Sequence, residues 1–129
     1  MITINSKSDR RLIIECTVNN KPANFLIDTG ASIALIDKNQ RKKYNLAVGK
    51  DYNNPIIGAG GEIKNPKICD TIVHIENKLI NQFILVDLDS IVKSIKRETD
   101  IEILGIISLS QMKFVGIQID TNDNVIILE

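Results

Sequence analysis

The sequence predicts an all-β fold, a small barrel or sandwich with few helices. Isoleucine supplies 25 of the 129 residues, and β-branched side chains favour the pleated sheet. Short apolar runs, several alternating with period two, recur between clusters of Asn, Asp, Gly and Pro, which is the pattern of strands and hairpins. Segments that read as helices are few and short. The length predicts a single domain over residues 1–129. A chain of this size buries roughly 68% of the surface its unfolded form exposes, enough for a core without disulfide staples.

Ile2–Ile4 reads as a short terminal strand and Arg11–Val18 as the first long one. Asn19-Asn20-Lys21-Pro22 reads as a turn, because Asn tolerates positive φ and Pro fixes its own φ. Ala23–Ile27 returns and runs straight into Asp28-Thr29-Gly30. Asp37–Tyr44 reads as helical, with Arg41-Lys42-Lys43 on a solvated face. Asn53-Asn54-Pro55 breaks the chain. Ile56-Ile57, Gly58-Ala59-Gly60-Gly61 and Glu62-Ile63-Lys64 then make a hairpin with a glycine-rich tip. Ile68–Ile75 alternates, Asn77-Lys78 turns, and Leu79–Val86 returns. Ser90–Arg97 reads as a short helix capped by Asp89. Ile101–Leu104 reads as a buried strand ending at Gly105, and Ser108–Lys113 as another short helix. Phe114–Asp120 and Val125–Leu128 form a last hairpin around Asn122-Asp123-Asn124.

Sixteen bases balance sixteen acids. A net charge of zero argues against a nucleic-acid partner, which would require a basic face to displace counterions. Residues 1–64 carry ten bases and six acids and the remainder six and ten, an offset too small for a charged interaction tail. One histidine excludes a multi-histidine metal site, and His74 reads as structural. Cys16 and Cys69 lie 53 positions apart and read as two buried free thiols. No apolar run reaches the ~20 residues of a membrane span. Met1-Ile2-Thr3-Ile4-Asn5 lacks the apolar core of a signal peptide. The expectation is a cytoplasmic protein with no membrane partner.

The segment Phe25-Leu26-Ile27-Asp28-Thr29-Gly30-Ala31-Ser32 carries the chemistry. An apolar strand ends in a carboxylate, followed by a hydroxyl residue, a glycine and two small residues. Thr29 and the Gly30 backbone can hold the carboxylate by hydrogen bonds, and small residues leave room for another chain. The same residues also suit an Asx-type turn that merely closes a strand. Asp70-Thr71 and Asp120-Thr121 are followed by Ile72 and Asn122, so neither repeats Asp-Thr-Gly. Hydrolysis needs a base for water and an acid for the leaving group. Two carboxylates sharing one proton supply both, because like charges ~3 Å apart cannot both ionise. One such aspartate per chain requires a second from a twofold-related subunit. No Lys-Ser or Lys-Thr follows Gly61, and Ile63 occupies the third glycine position of a dinucleotide fingerprint, so neither nucleotide loop fits. Ser32, Ser108 and Ser110 lack the Gly-x-Ser-x-Gly setting of a serine hydrolase.

Asp28-Thr29-Gly30-Ala31-Ser32 after an apolar strand resembles the catalytic motif of the retropepsin-like aspartic proteases. Ile56-Ile57-Gly58-Ala59-Gly60-Gly61-Glu62-Ile63 resembles the glycine-rich flap of the viral enzymes. Ile103-Leu104-Gly105 before a short helix resembles the element that braces the active-site loop. The three occur in the family's order and span nearly the whole chain. Ser32 stands where the viral enzymes usually carry an acid, and Ile106 where they often carry arginine. The chain therefore resembles the cellular and bacterial members more closely.

The resemblance implies a closed β-barrel subunit with one or two short helices, active as a homodimer. It implies a catalytic set of Asp28, Thr29 and Gly30, with a water held between the two Asp28 carboxylates. It implies that Ala31, Ser32, Ile57, Gly58, Ala59, Gly60 and Gly61 bind a peptide or protein substrate as an added strand. Glycines suit a flap that must change φ and ψ as it closes. No metal and no other cofactor is implied. Ile2–Ile4 and Val125–Leu128 are expected to pair across the dimer, since such edges left open invite aggregation. The departures at Ser32 and Ile106 motivate a rival reading, a catalytically silent peptide-binding or dimerisation module.

Overall fold

The computed structural model describes residues 1–58 and 61–129. The strands are β1 (Ile2–Asn5), β2 (Ile13–Val18), β3 (Lys21–Asp28), β4 (Leu35–Asp37), β5 (Ile57–Gly58), β6 (Gly61–Glu62), β7 (Lys67–Cys69), β8 (Val73–Ile75), β9 (Lys78–Ile80), β10 (Phe83–Val86), β11 (Gly105–Ser108), β12 (Ile117–Asp120) and β13 (Val125–Leu128). The β2–β3 hairpin turns on Asn19-Asn20, at φ 49° and 67°. Two left-handed residues match the twist of the flanking strands. Pro22, expected in the turn, lies inside β3 opposite Thr17, one pair beyond the turn-closing Val18–Lys21 pair. Alternate antiparallel pairs exchange no ladder bonds, so the missing N–H is tolerated there.

Eight strands form one sheet in the order β7-β10-β4-β11-β3-β2-β8-β9. Ile68–Ile75 and Leu79–Val86, read as two continuous arms, are each broken, at 70–72 and at 81–82. Gln82 takes φ 67° at the second break. The hairpin tip, β8 and β9, pairs with β2, while its base, β7 and β10, pairs with β4. One hairpin thus supplies both ends of the sheet. Four residue steps, from Cys69 to Val73, span at most about 14 Å. The sheet must therefore curl, and it forms a half-barrel.

Both faces of the curled sheet are apolar. Ile14, Cys16, Phe25, Ile27, Phe83 and Ile107 belong to one core, with Phe25 and Phe83 ring centroids 5.5 Å apart. Their strand neighbours Ile13, Leu26, Ile84 and Ile106 belong to a second core, closed by Val92 and Ile95 of the helix α2 (Asp89–Thr99). This explains the runs of consecutive isoleucines, since a strand covered on both faces needs no alternation. Cys16 and Cys69 are buried and free, and burial pushes the Cys16 thiol pKa far up.

Three short helices form among the described residues, one in each segment read as helical. The segment 37–44 divides into the end of β4, a 3-10 turn over Lys38–Gln40 and α1 (Arg41–Tyr44). Leu88, not Asp89, occupies the cap of α2. α3 (Leu109–Val115) runs past its expected end, absorbs Phe114, and stops at Gly116 with φ 77°. Residues 101–104 are buried at Ile103 and Leu104 but form no strand. The Leu104 N–H donates to Asn24 O (2.7 Å) and its carbonyl accepts from the Asp37 N–H (2.9 Å) before β11 begins.

A separate sheet has the order β1-β13-β12. The terminal segments expected to pair across a dimer instead pair with each other within the chain, from Ile2–Leu128 to Asn5–Val125. The tight turn after β12 makes this possible. Asp120 Oδ1 accepts the N–H groups of Asn122 and Asp123, folding β13 back so that its free edge meets β1. No helix among the described residues is long and apolar enough to cross a membrane.

Candidate active site

Asp28 is the last residue of β3, and the packing beside it fixes its place. β11 lies between β3, to which it is parallel, and β4, to which it is antiparallel. Only glycine fits at Gly105: a Cβ there would lie 2.4 Å from the Leu35 carbonyl oxygen and 2.9 Å from the Phe25 ring. The register then sets Ser108 beside Asp28. Ser108 caps α3 in a capping box with Gln111. The Leu109 N–H, freed at the helix start, donates to Ala31 O (3.1 Å). Behind the Asp28 loop stand Gly105, Ser108 and Leu109; of the expected brace Ile103-Leu104-Gly105, Ile103 and Leu104 are instead buried in the two cores.

Within the loop, the Gly30 N–H donates to Asp28 Oδ1 (2.9 Å) and the Ala31 N–H to Asp28 O (3.2 Å). This is an Asx turn, so the turn and the positioned carboxylate are one geometry. Asp28 and Ala31 are half-buried; Thr29, Gly30 and Ser32 are exposed. The Thr29 hydroxyl, expected to orient the loop, makes no hydrogen bond among the described residues of one chain. A Cβ on Gly30 would sit 3.3 Å from Asp28 Oδ1, so the bare backbone keeps the carboxylate in place.

Arg11 was not legible as part of this region. Its guanidinium pairs with Glu98 of α2 (2.5 Å), and that bond together with the Glu98 charge raises its pKa, with a smaller contribution from the Asp28 charge. Ile106 is 5% exposed, beside Leu26 and Leu35 in the second core. An arginine there would be a charge in apolar surroundings, which costs heavily unless paired. The exposed Ser32 could offer it no carboxylate.

The hairpin read as a flap forms: Ile57 pairs with Glu62 and Gly58 with Gly61, which takes φ 108°. Ala59 and Gly60, also expected to bind substrate, lie outside the described residues. Ile57 is 79% exposed. The flap base is rooted by Ile56, Ile63 and Tyr52 in the second core, to which Ala31 of the Asp28 loop also belongs. The hairpin and Asp28 therefore share one face of the sheet. Two hollows open along that region. One, of about 270 Å³, is lined by Thr29–Ser32, Leu109, Ser110 and Lys113. The other, of about 410 Å³, meets it at Ser32 and Ser110. A larger hollow of about 670 Å³, which includes His74 and shares Asp70 with the one of about 410 Å³, opens where β3 begins, far from Asp28 along the strand. Among the described residues, no group of three or more His, Cys, Asp or Glu side chains is placed to hold a metal ion.

The comparisons agree with this fold. The chain is similar in fold to EIAV protease, solved in complex with the inhibitor HBY-793, with a TM-score of 0.62 and 17% identity over 85% of this chain and 92% of that one. It is similar to the retroviral protease-like domain of Ddi1 from Leishmania major (0.58, 20%, covering 92% and 88%). It is similar to a retropepsin-like aspartic protease from Rickettsia conorii (0.58, 21%, covering 98% and 88%). No curated protein matches the sequence. The family model described as "gag-polyprotein putative aspartyl protease" matches residues 14–111, from β2 through the flap to the start of α3. With that match over three quarters of its length, the chain belongs to the gag-type aspartyl protease family.

Proposed function

We propose that the protein is an aspartic endopeptidase that hydrolyses extended polypeptides through two Asp28 carboxylates, one from each subunit of a homodimer. The observation that carries this reading is the state of Asp28. Its carboxylate is half-exposed, accepts one backbone N–H, and is followed by a loop, Thr29–Ser32, that lines a hollow and shares a core with the base of the glycine-rich hairpin. In the dimer the two carboxylates share one proton. The ionised carboxylate takes a proton from the water between them, and the water oxygen attacks the scissile carbonyl. The protonated one gives its proton to the amide nitrogen, and the C–N bond breaks. The Gly30 N–H keeps Asp28 oriented throughout. The exposed Ile57 and the Gly58 and Gly61 backbones cover the peptide from above, and Ala31 and Ser32 line the floor on which it lies as an added strand.

The test is cleavage of a diverse peptide mixture from acid to neutral pH by wild type and by Asp28→Asn, with solution mass measured in parallel. The reading expects cleavage by a dimer and a loss of at least about 10²–10⁴-fold in the variant, the scale of general acid–base catalysis. The groove is already present in a single chain, which supports a second reading as a peptide-binding module without turnover. Binding that survives Asp28→Asn, with no cleavage by folded wild type, would favour it.

A further inference from the structure

We propose that the hollow beside Ser32 is a charge-selective subsite that takes a lysine or arginine side chain of the bound peptide, and that Asp70 selects it. This rests on the peptide-binding part of the reading above, not on turnover.

The registers place the residues. Leu26, Ile106, Leu35, Ile84 and Ile68 are direct partners on five adjacent strands, β3, β11, β4, β10 and β7. All five pack in or against the second core, so this row is an apolar floor. Beyond this floor stands a second row: Asp28 and Ser108 on the same face of β3 and β11, then Ile33, Gln82 and Asp70 just outside the ends of β4, β10 and β7. A step of two within a strand keeps Asp28 and Ser108 on the face of Leu26 and Ile106. The row therefore runs from one carboxylate, Asp28, to another, Asp70, across four strand spacings. At ~4.8 Å each, that is about 19 Å along the sheet. An extended peptide advances about 3.3 Å per residue, so a peptide laid on this row from Asp28 reaches Asp70 about six residues away.

The hollow of about 410 Å³ follows that row. Ser108, Ile33, Gln82 and Asp70 all line it, and Ser32 and Ser110 join it to the hollow against Thr29 and Gly30. Its other polar lining groups are hydroxyls and amides; Asp70 is its one charged group. Asp70 is exposed and makes no ion pair among the described residues. A single uncompensated carboxylate at the end of a neutral groove attracts a cation and repels an anion, and a long aliphatic stem with a charged head suits an apolar floor. The chain break at 70–72 ends β7 at Cys69, which leaves Asp70 at the rim instead of inside a strand.

The experiment measures binding of fluorescent peptides to the Asp28→Asn protein, with Lys, Gln or Glu substituted at each position in turn. The expected result is one position, distant from the bond that wild type cleaves, at which Lys binds about three- to tenfold tighter than Glu, as for an exposed pair. The preference should flatten in Asp28→Asn/Asp70→Asn, reverse in Asp28→Asn/Asp70→Lys and weaken with salt. No binding, no charge preference, or a preference that ignores Asp70 overturns the proposal. Failure of the hydrolase reading looks different: wild type cleaves none of these peptides while the Asp70-dependent preference persists.

Discussion

β11 is flanked by two strands that each end in an aspartate, and the chain treats the two carboxylates in opposite ways. Asp37, at the end of β4, is 2% exposed. Its Oδ1 accepts from the Asn39 N–H (3.1 Å), Asn39 Nδ2 (3.0 Å) and the Leu88 N–H (3.1 Å), and its Oδ2 from Gln40 Nε2 (3.0 Å). Asp28, at the end of β3, is half-exposed and accepts from the Gly30 N–H alone among the described residues. A buried carboxylate persists only when fully paired, and full pairing leaves it no lone pair for a reagent. The difference lies in the three residues after each aspartate. Lys38-Asn39-Gln40 folds two amide side chains back onto Asp37, whereas Thr29-Gly30-Ala31 offers Asp28 little beyond backbone. One aspartate knits β4 to α2; the other is held in place and left available.

The sharpest way to break this comparison is to remove each carboxylate in turn. Asp37→Ala strands the buried Leu88 N–H and removes the anchor of Asn39 and Gln40, whose amides keep only Asp87 and the Ile103 carbonyl, and should cost about 3 kcal/mol of stability. Asp28→Ala frees one exposed N–H and should change stability by no more than about 1 kcal/mol in either direction. Urea unfolding of the two variants checks both. Equal costs would mean that Asp28 is as structural as Asp37.

Two glycines serve this region, Gly105 within β11 and Gly30 after β3, and they should also differ. Gly105→Ala drives a methyl into the Leu35 carbonyl and the Phe25 ring, where rigid strands cannot yield. A loss of about 2–3 kcal/mol is expected from such overpacking. Gly30→Ala meets only the Asp28 carboxylate at 3.3 Å, which can swing by a few tenths of an ångström. Its stability should fall by less than about 1 kcal/mol, while peptide cleavage falls further, because the group displaced is the one that acts. Unfolding midpoints and cleavage rates measured on the same two proteins separate these outcomes.

The sequence revealed Asp28 more readily than its surroundings. Its motif is local: an apolar strand, then Asp-Thr-Gly, within eight residues. Gly105 was legible for the same reason, although the clash that demands a glycine involves Leu35 and Phe25, 70 and 80 positions away. Asp37 gave no signal, since its partners look like ordinary helix-surface residues until Leu88 is folded against it. The broken hairpin was illegible because Ile68–Ile75 keeps its alternation through the break; only the demands of the curled sheet at both ends interrupt it. The cis pairing of β1 with β13 was missed because apolar edges say that they need a partner and not which one. The row from Asp28 to Asp70 depends on four strand registers, and none of those is written in any single segment.

The smallest expected effect concerns the rim of the Asp37 cluster and acts through pH. Asp87 is exposed, and its Oδ1 accepts from the Asp89 N–H (2.9 Å) and from Asn39 Nδ2 (2.7 Å), the same amide that serves Asp37. Those bonds favour the charged form, the Asp89 bond most, and lower the Asp87 pKa below its ordinary value. A folded-state pKa below the unfolded one means that the unfolded chain takes up the proton first. The contribution of Asp87 to stability is therefore fully present above its unfolded value, near 3.9, and is lost as pH falls through the folded value. Asp87→Asn removes this dependence. Urea midpoints of wild type and Asp87→Asn, followed from about pH 5 to pH 2, should be furthest apart at the upper end and converge towards the lower. The convergence should be slight and should shrink with added salt, because the carboxylate is open to solvent. The same change should leave peptide cleavage by Asp28 unaltered, since Asp87 belongs to the cluster that holds the fold and not to the loop that faces the groove. A cleavage rate that tracked the Asp87 titration would instead tie the two aspartate sites together through β11 and end the division of roles between them.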